Sequence, residues 1–201
     1  MRRIDLNEAA NFLREHDRFL ILMHGSPDGD TVGCGTALCG ALQQIGKLAR
    51  TACPDPIPKK FGYMFRELKE QEFEPETIVA VDVADTKLLY GMREVGEKTQ
   101  LCIDHHVSNT EYAERLLLAP EYAAAAELMF ELLSSMKEVR ITSSIADSLY
   151  TGIATDSGCF KYSNTSPQTH VYAAELIKLG ADIVPINYAM FDMKSQGLSL
   201  I

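Results

Sequence analysis

The sequence predicts an α/β protein: a parallel sheet with helices on both faces and a helical C-terminal part. Two observations lead there. Short apolar runs at Phe19–Met23, Leu48–Cys53, Thr77–Val81 and Gln100–Ile103 are separated by helix-length stretches, the alternation expected of parallel strands joined by crossovers. Beyond residue 120 the chain becomes rich in Ala, Leu, Met and Glu with helical spacing, and no strand-like run recurs.

Taken in order, Asp5 and Glu8 have capping-box spacing, and Ala9, Phe12 and Leu13 follow at helical intervals, so a first helix starts there. The strand Phe19–Met23 is stopped by His24-Gly25-Ser26-Pro27-Asp28-Gly29-Asp30, a loop by its Gly and Pro content. From Thr31 to Ile45 small and apolar residues dominate. Gly33, Gly35 and Gly40 each weaken a helix by up to about 1 kcal/mol, which predicts close packing against the sheet as their reason. The strand at Leu48–Cys53 ends at Pro54, Pro56 and Pro58, and Phe61–Lys69 reads as helical with Phe65 and Leu68 on one side. Thr77–Val81, β-branched and apolar, runs straight into Asp82-Val83-Ala84-Asp85. Gln100–Ile103 runs into Asp104-His105-His106. Helices follow at Tyr122–Met136, from Thr142 or Ser143 to Thr155, at 167–179 behind Pro167 and closed by Gly180, and from Asp182 toward Met190. Residues 1–190 form one domain in this reading. Residues 191–201 begin a linker helix whose apolar end, Leu198, Leu200 and Ile201, has nothing after it to pack on.

Composition bounds the function. A length of 201 residues with 46% hydrophobic and 23% charged side chains suits a globular chain, and the net charge of −9 argues against a binder of phosphate backbones by bulk positive charge. The five cysteines are scattered, without CxxC spacing, which predicts reduced thiols and a cytoplasmic location. No apolar run approaches the roughly 20 residues needed to span a bilayer.

The chemistry concentrates where strands end. His24, Asp28 and Asp30, then Asp82 and Asp85, then Asp104, His105 and His106, all follow strands that share an edge if the sheet is parallel. Asp156 in Thr151-Gly152-Ile153-Ala154-Thr155-Asp156-Ser157-Gly158 closes a helix. So many carboxylates close together raise each other's pKa, and divalent cations reverse that sign. Oxygen and imidazole donors without thiolate favour manganese or magnesium over structural zinc. Two such ions about 3.5–4 Å apart suit in-line phosphoester hydrolysis.

These segments, in this order, resemble the four motifs of the DHH phosphoesterase family: His24-x-x-x-Asp28-x-Asp30, Asp82-Val83-Ala84-Asp85, Asp104-His105-His106 and the Thr151–Gly158 segment. The resemblance implies one metal held by His24, Asp28 and Asp82 and a second held by Asp30, Asp82, His105 and Asp156, most simply two Mn²⁺, with Mg²⁺ the alternative. It implies that His106 contacts substrate or leaving group, that Asp104 orients the pair, and that Asp85 either caps the next helix or supports the site. The nearest subgroup is that of enzymes removing mononucleotides from very short RNAs and dephosphorylating 3'-phosphoadenosine 5'-phosphate. Lys161 stands where that family commonly has Arg, which weakens a bidentate phosphate grip. The family's second, DHH-associated domain, with its glycine- and histidine-rich loop, has no counterpart here. We therefore expect a domain cut from a longer protein, able to bind manganese but hydrolysing nucleotides poorly by itself.

The expected partner is a nucleotide or short single-stranded RNA, with no membrane and with homodimerisation through the Tyr122–Met136 helix left open. A cyclic or linear dinucleotide is the alternative substrate. Two rival classes remain: a phosphatase using Asp28 of Asp28-Gly29-Asp30-Thr31-Val32 as covalent nucleophile, which leaves Asp104-His105-His106 unexplained, and a non-catalytic metal or nucleotide sensor. Tyr162 is read as a base-stacking or a packed loop aromatic, and His16 and His170 as surface residues.

Overall fold

Six parallel strands form one sheet in the order β1-β6-β5-β4-β2-β3, from β1 (Arg2–Arg3), β2 (Phe19–Leu22), β3 (Ala49–Ala52), β4 (Thr77–Val81), β5 (Leu101–Asp104) and β6 (Arg115–Leu118). The structure, a computed structural model, describes residues 1–192; the linker helix expected from residue 191 lies beyond Asp192 outside the described residues. Four of the strands are those the sequence predicts. β1 is two exposed arginines recruited only by backbone pairing, and β6 is an Arg-Leu-Leu-Leu run without β-branched residues; neither carries a strand signal of its own.

Alternate residues of the inner strands enter two cores. Phe19, Ile21, Val79, Val81, Leu101 and Ile103 face the larger one, packed by α1 (Leu6–Glu15), α2 (Gly29–Gln44), α4 (Ala125–Ser135), α5 (Ser143–Asp156) and α6 (Pro167–Lys178). Leu20, Leu22, Ala80 and Cys102 face a smaller one, closed by a 3-10 segment at Thr86–Met92, by α3 (Arg93–Gly96) and by Tyr112 and Ala113. Both faces are covered, but unequally. Burial on both sides is why these strands read as continuous apolar runs.

Local expectations meet mixed outcomes. The capping box at Asp5 and Glu8 forms, and Ser166 caps α6 with Pro167 behind it. Asp85 caps the 86–92 segment by accepting from Lys87 N, which settles its two readings in favour of the cap. Asp182 precedes α7 (Ile183–Asn187) but makes no side-chain cap. The helix expected at Phe61–Lys69 is instead a 3-10 helix at Lys59–Phe65, whose buried residues Phe61 and Met64 repeat every three residues. The helix expected at Tyr122–Met136 is α4, and it is packed among α1, α2, α5 and α6 inside its own domain. Its Leu128, Met129, Leu132 and Leu133 are buried within the domain. No described helix is long and apolar enough to cross a membrane.

The glycines of α2 do pack closely, but mainly against a helix. A Cβ at Gly33 would come within 2.3 Å of the Ser148 carbonyl oxygen on α5, and one at Gly29 within 2.4 Å of Thr155 Oγ1. Only Gly35 faces the sheet side, against Met23. Thr36 Oγ1 bonds Ser148 Oγ at 3.0 Å on the same seam. The pairing of 29 with 155, 33 with 148 and 36 with 148 runs α2 and α5 antiparallel, so the first turn of α2 meets the last turn of α5. The acids at those two ends are thereby brought together.

Gly33→Ala should lower unfolding free energy by about 1–3 kcal/mol, the cost of overpacking against backbone that cannot give way. Gly40→Ala should be neutral or stabilising, since its nearest new contact is the Leu68 side chain at 3.4 Å. Urea midpoints of the two variants measure the contrast.

Candidate metal centre

The strand order reverses between β2 and β4. From β2 the chain crosses to β3 on one side, then returns to β4 on the other, leaving a crevice at the carboxyl ends of β2 and β4, the place where open parallel sheets hold ligands. His24 leaves β2 and Asp82 leaves β4 at that crevice, and Asp104, His105 and His106 end the neighbouring β5. Asp28 and Asp30 begin α2 and Asp156 ends α5. All the predicted metal ligands therefore meet in one place.

The imidazoles of His24 and His105 are wired alike. His24 Nδ1 donates to the Gly25 carbonyl at 2.7 Å and His105 Nδ1 to the Tyr122 carbonyl at 3.1 Å. Each is left with Nε2 facing the carboxylates. His24 Nε2 lies 3.6 Å from Asp28 Oδ1 and 3.5 Å from Asp82 Oδ2. His105 Nε2 lies 3.8 Å from Asp30 Oδ2, 3.6 Å from Asp82 Oδ1 and 3.4 Å from Asp156 Oδ2. Most of these distances are too long for hydrogen bonds. Among the described residues, Asp82 Oδ1 and His105 Nε2 are buried without any hydrogen-bond partner.

Three groups of donors come within 4.8 Å of one another: two are the sets His24 with Asp28 and Asp82, and Asp30 with His105 and Asp156, and the third joins His106 to Asp82 and His105. Buried donors aimed at each other and left unpaired fit divalent cations between them. The end of α5 adds to this. Asp156 sits at the negative pole of its helix, unfavourable by about 0.3–1 kcal/mol unless a cation lies beside it.

Asp82 is also bent to its task. Its backbone is left-handed, φ 57°, at the strand end, and its N–H donates to the Ile103 carbonyl at 2.9 Å. Such a conformation is held only by surroundings that over-determine it.

Asp104 is not part of either donor set. Fully buried, it accepts from His105 N at 2.8 Å, from His106 Nδ1 at 2.9 Å and from Asn109 Nδ2 at 2.6 Å. His106 Nδ1 also approaches Asp82 Oδ1 at 3.4 Å, but the shorter bond to Asp104 occupies that nitrogen. The ring is thereby oriented with Nε2 free and partly open to solvent.

Several supporting groups carried no sequence signal. Asp30 accepts from the backbone N–H groups of Ala125 at 2.6 Å and Ala126 at 2.9 Å, so the first turn of α4 holds this acid from behind. Gly152 makes room for it, since a Cβ there would come within 2.7 Å of Asp30 Oδ1. Thr31 Oγ1 donates to the Val81 carbonyl and accepts from His24 N, tying the two sides of the crevice together. Asn109 steadies Asp104, and Asn164 Nδ2 donates to the Asp156 carbonyl. Backbone donors and short polar residues in loops leave no periodic trace to read. His16 is half-buried and stacked on Phe12, while His170 is exposed against Phe160; neither enters the cluster.

Electrostatics agree with the geometry. Burial raises the Asp30 carboxyl well above the carboxylate range, and Asp82 and Asp156 push it further. Burial likewise lifts Asp82 to about 6, with Asp28 and Asp156 adding to it. Burial pulls the His24 imidazolium down, yet Asp28 and Asp82 outweigh it and raise the group to about 11. For His105, burial is again outweighed, by Asp156, Asp30 and Asp82, to about 10. Asp104 holds the His106 imidazolium above its ordinary value.

A parallel α/β sheet with a carboxylate–imidazole centre at its switch point, fit to hold divalent cations, is the class of protein that this fold and site define. Within that class, residues 18–153 match the DHH family, N-terminal domain, and the chain belongs to this family. It is 32% identical over 171 residues to the bifunctional oligoribonuclease and PAP phosphatase NrnA of Thermus thermophilus, covering 83% of this chain and 51% of that protein. It is 31% identical over 191 residues to the protein of the same description from Mycoplasma genitalium, covering 91% and 60%. Its fold is similar to that of a crystal structure of an exopolyphosphatase-related protein from Bacteroides fragilis, with a TM-score of 0.83, 22% identity, and 95% and 61% of the two chains covered. The chain spans about half to three-fifths of the length of these relatives.

Metal-free, Asp82 should weaken the fold as pH rises. Its carboxyl is raised from 3.8 to about 6 in the folded state, so its contribution is fully present below about pH 4 and lost as pH rises through 6. In EDTA, Asp82→Asn should melt close to the wild type at pH 4 and several degrees above it at pH 7, at about 2–4 °C per kcal/mol for a chain of this size. Thermal melts across that range test this.

Proposed function

We propose that the chain is the catalytic domain of a two-metal phosphoesterase acting on short oligonucleotides or phosphorylated nucleosides. Asp82 carries the reading. Its Oδ2 faces His24 Nε2 at 3.5 Å and its Oδ1 faces His105 Nε2 at 3.6 Å, so one carboxylate serves both donor sets as a bridging acid does. His24 and Asp28 would complete the first site, and Asp30, His105 and Asp156 the second. Two dications, most simply Mn²⁺, would balance the charge developing on a phosphoryl group and supply a nucleophile from water at neutral pH.

The chain's own residues supply the rest. Asp30, anchored on the α4 amides, and His24 and His105, anchored on carbonyls, cannot rotate away when substrate arrives. His106 Nε2–H is the proton donor within reach of a phosphoryl or leaving-group oxygen, and Asp104 both orients the ring and favours its protonated form. Asp28 is not a covalent nucleophile in this reading. It caps α2, accepting from Asp30 N and Thr31 N at 3.0 and 3.1 Å, which ties down its Oδ1.

The substrate class is supported by the two NrnA relatives, described as oligoribonuclease and PAP phosphatase. A DHH-associated domain following residue 190 is part of the same proposal, since those relatives extend well beyond the matched length.

Hydrolysis of bis-p-nitrophenyl phosphate, 3'-phosphoadenosine 5'-phosphate and a ribodinucleotide should depend on manganese and vanish in EDTA. Asp82→Ala should lower kcat by at least roughly a hundredfold. A fully active Asp82→Ala, or two bound metals with no turnover of any of the three even when the second domain is present, would sink the proposal, the latter in favour of a sensor.

A further inference from the structure

Two tyrosines at the rim of the centre are exposed where the fold gives no reason for them. Tyr90 is 55% exposed and Tyr162 62%. Each ring is seated on a glycine beside a member of a different donor set. A Cβ at Gly25, next to His24, would come within 2.1 Å of Tyr90 Cε2, and one at Gly158, two residues past Asp156, within 2.4 Å of Tyr162 Cζ. One side of each ring is thus backed by backbone and the other is open.

Both are also delivered by backbone that L-residues avoid. Tyr90 itself has φ 43° and ψ −115°, breaking the 3-10 segment in two. Gly158, Cys159 and Phe160 are all left-handed, at φ 57°, 56° and 63°. This turn is held by Cys159 N donating to the Ala154 carbonyl at 2.7 Å and by Tyr162 N donating to the Ser157 carbonyl at 3.0 Å. On the other side, Gly25 N donates to the Leu88 carbonyl at 2.7 Å. Non-glycine residues occur singly in this region, rarely in succession, and the strain collects where function requires it. Neither tyrosine ring contributes to a core, although Phe160 of the second turn packs against the larger one and stacks on His170.

Backed, rigid and open aromatic faces beside a phosphate-binding centre are suited to stacking nucleobases. We infer that Tyr90 and Tyr162 are stacking platforms for the two nucleosides flanking the scissile phosphate, Tyr90 on the His24 side and Tyr162 on the Asp156 side. This rests on the phosphoesterase reading above and adds to it a preference for substrates with a base on each side of the phosphate. Inorganic polyphosphate has nothing to offer these rings.

The test compares kcat/KM for a ribodinucleotide with those for two analogues, one abasic on the 5' side and one abasic on the 3' side, in manganese. Tyr90→Leu and Tyr162→Leu keep bulk over each glycine but remove the π face. Each should reduce the preference for a base on one side, and on opposite sides, by roughly ten- to a hundredfold. Tyr90→Phe and Tyr162→Phe should retain the preference. Leucine variants that leave the preference intact, or that slow base-bearing and abasic substrates alike, overturn the assignment while leaving the phosphoesterase reading standing. A wild type carrying the second domain that hydrolyses none of the three overturns both.

Discussion

Asp30 and Asp82, both buried, and Asp156, partly exposed, bring three carboxylates into a crevice between the sheet and two helices. Two unit charges at 4–5 Å repel by roughly 3–4 kcal/mol at the effective dielectric of a protein site, and burial adds to that penalty. Two imidazoles face the same acids, yet the distances between them are mostly those of groups separated by something, not bonded to each other. Cations at those positions turn the repulsion into attraction. Much of the surrounding structure can be understood as holding donors apart until they arrive.

That holding is the work of backbone. The first turn of α4 gives two N–H groups to Asp30, and the carbonyls of Gly25 and Tyr122 fix the imidazoles. The glycine seam between α2 and α5 sets how close Asp28 and Asp30 come to Asp156. Asp82 remains in a left-handed conformation because its N–H is bound to β5 and its side chain is wanted between both imidazoles. Loosening any of these contacts shifts a donor without deleting it, so effects on metal affinity can arise from residues that touch no metal.

Much of this could be read from residue order. Four apolar runs, three of them ended by His or Asp, announced the parallel sheet, and the spacing of acids and imidazoles announced the centre, because strand ends of a parallel sheet share an edge. What escaped the sequence is what side chains do not encode. β1 is a strand only because β6 lies beside it. Asn109 and Thr31 act through single hydrogen bonds from loops, and the amides that anchor Asp30 belong to two alanines. Tyr90 takes the positive φ of its segment although Gly91 stands next to it, so the glycine does not mark the residue that turns. The glycines of α2 were legible as packing residues, but their partner, α5, is more than 100 residues away in the chain.

The account depends on histidine nitrogens and bridging carboxylates meeting the same ions, which pulsed EPR on the manganese-loaded protein can observe directly. We expect ¹⁴N couplings from two distinct imidazoles to Mn²⁺, one lost in His24→Ala and the other in His105→Ala, with magnetic coupling between two ions. Manganese bound through oxygen alone, or couplings unchanged by either substitution, would contradict it.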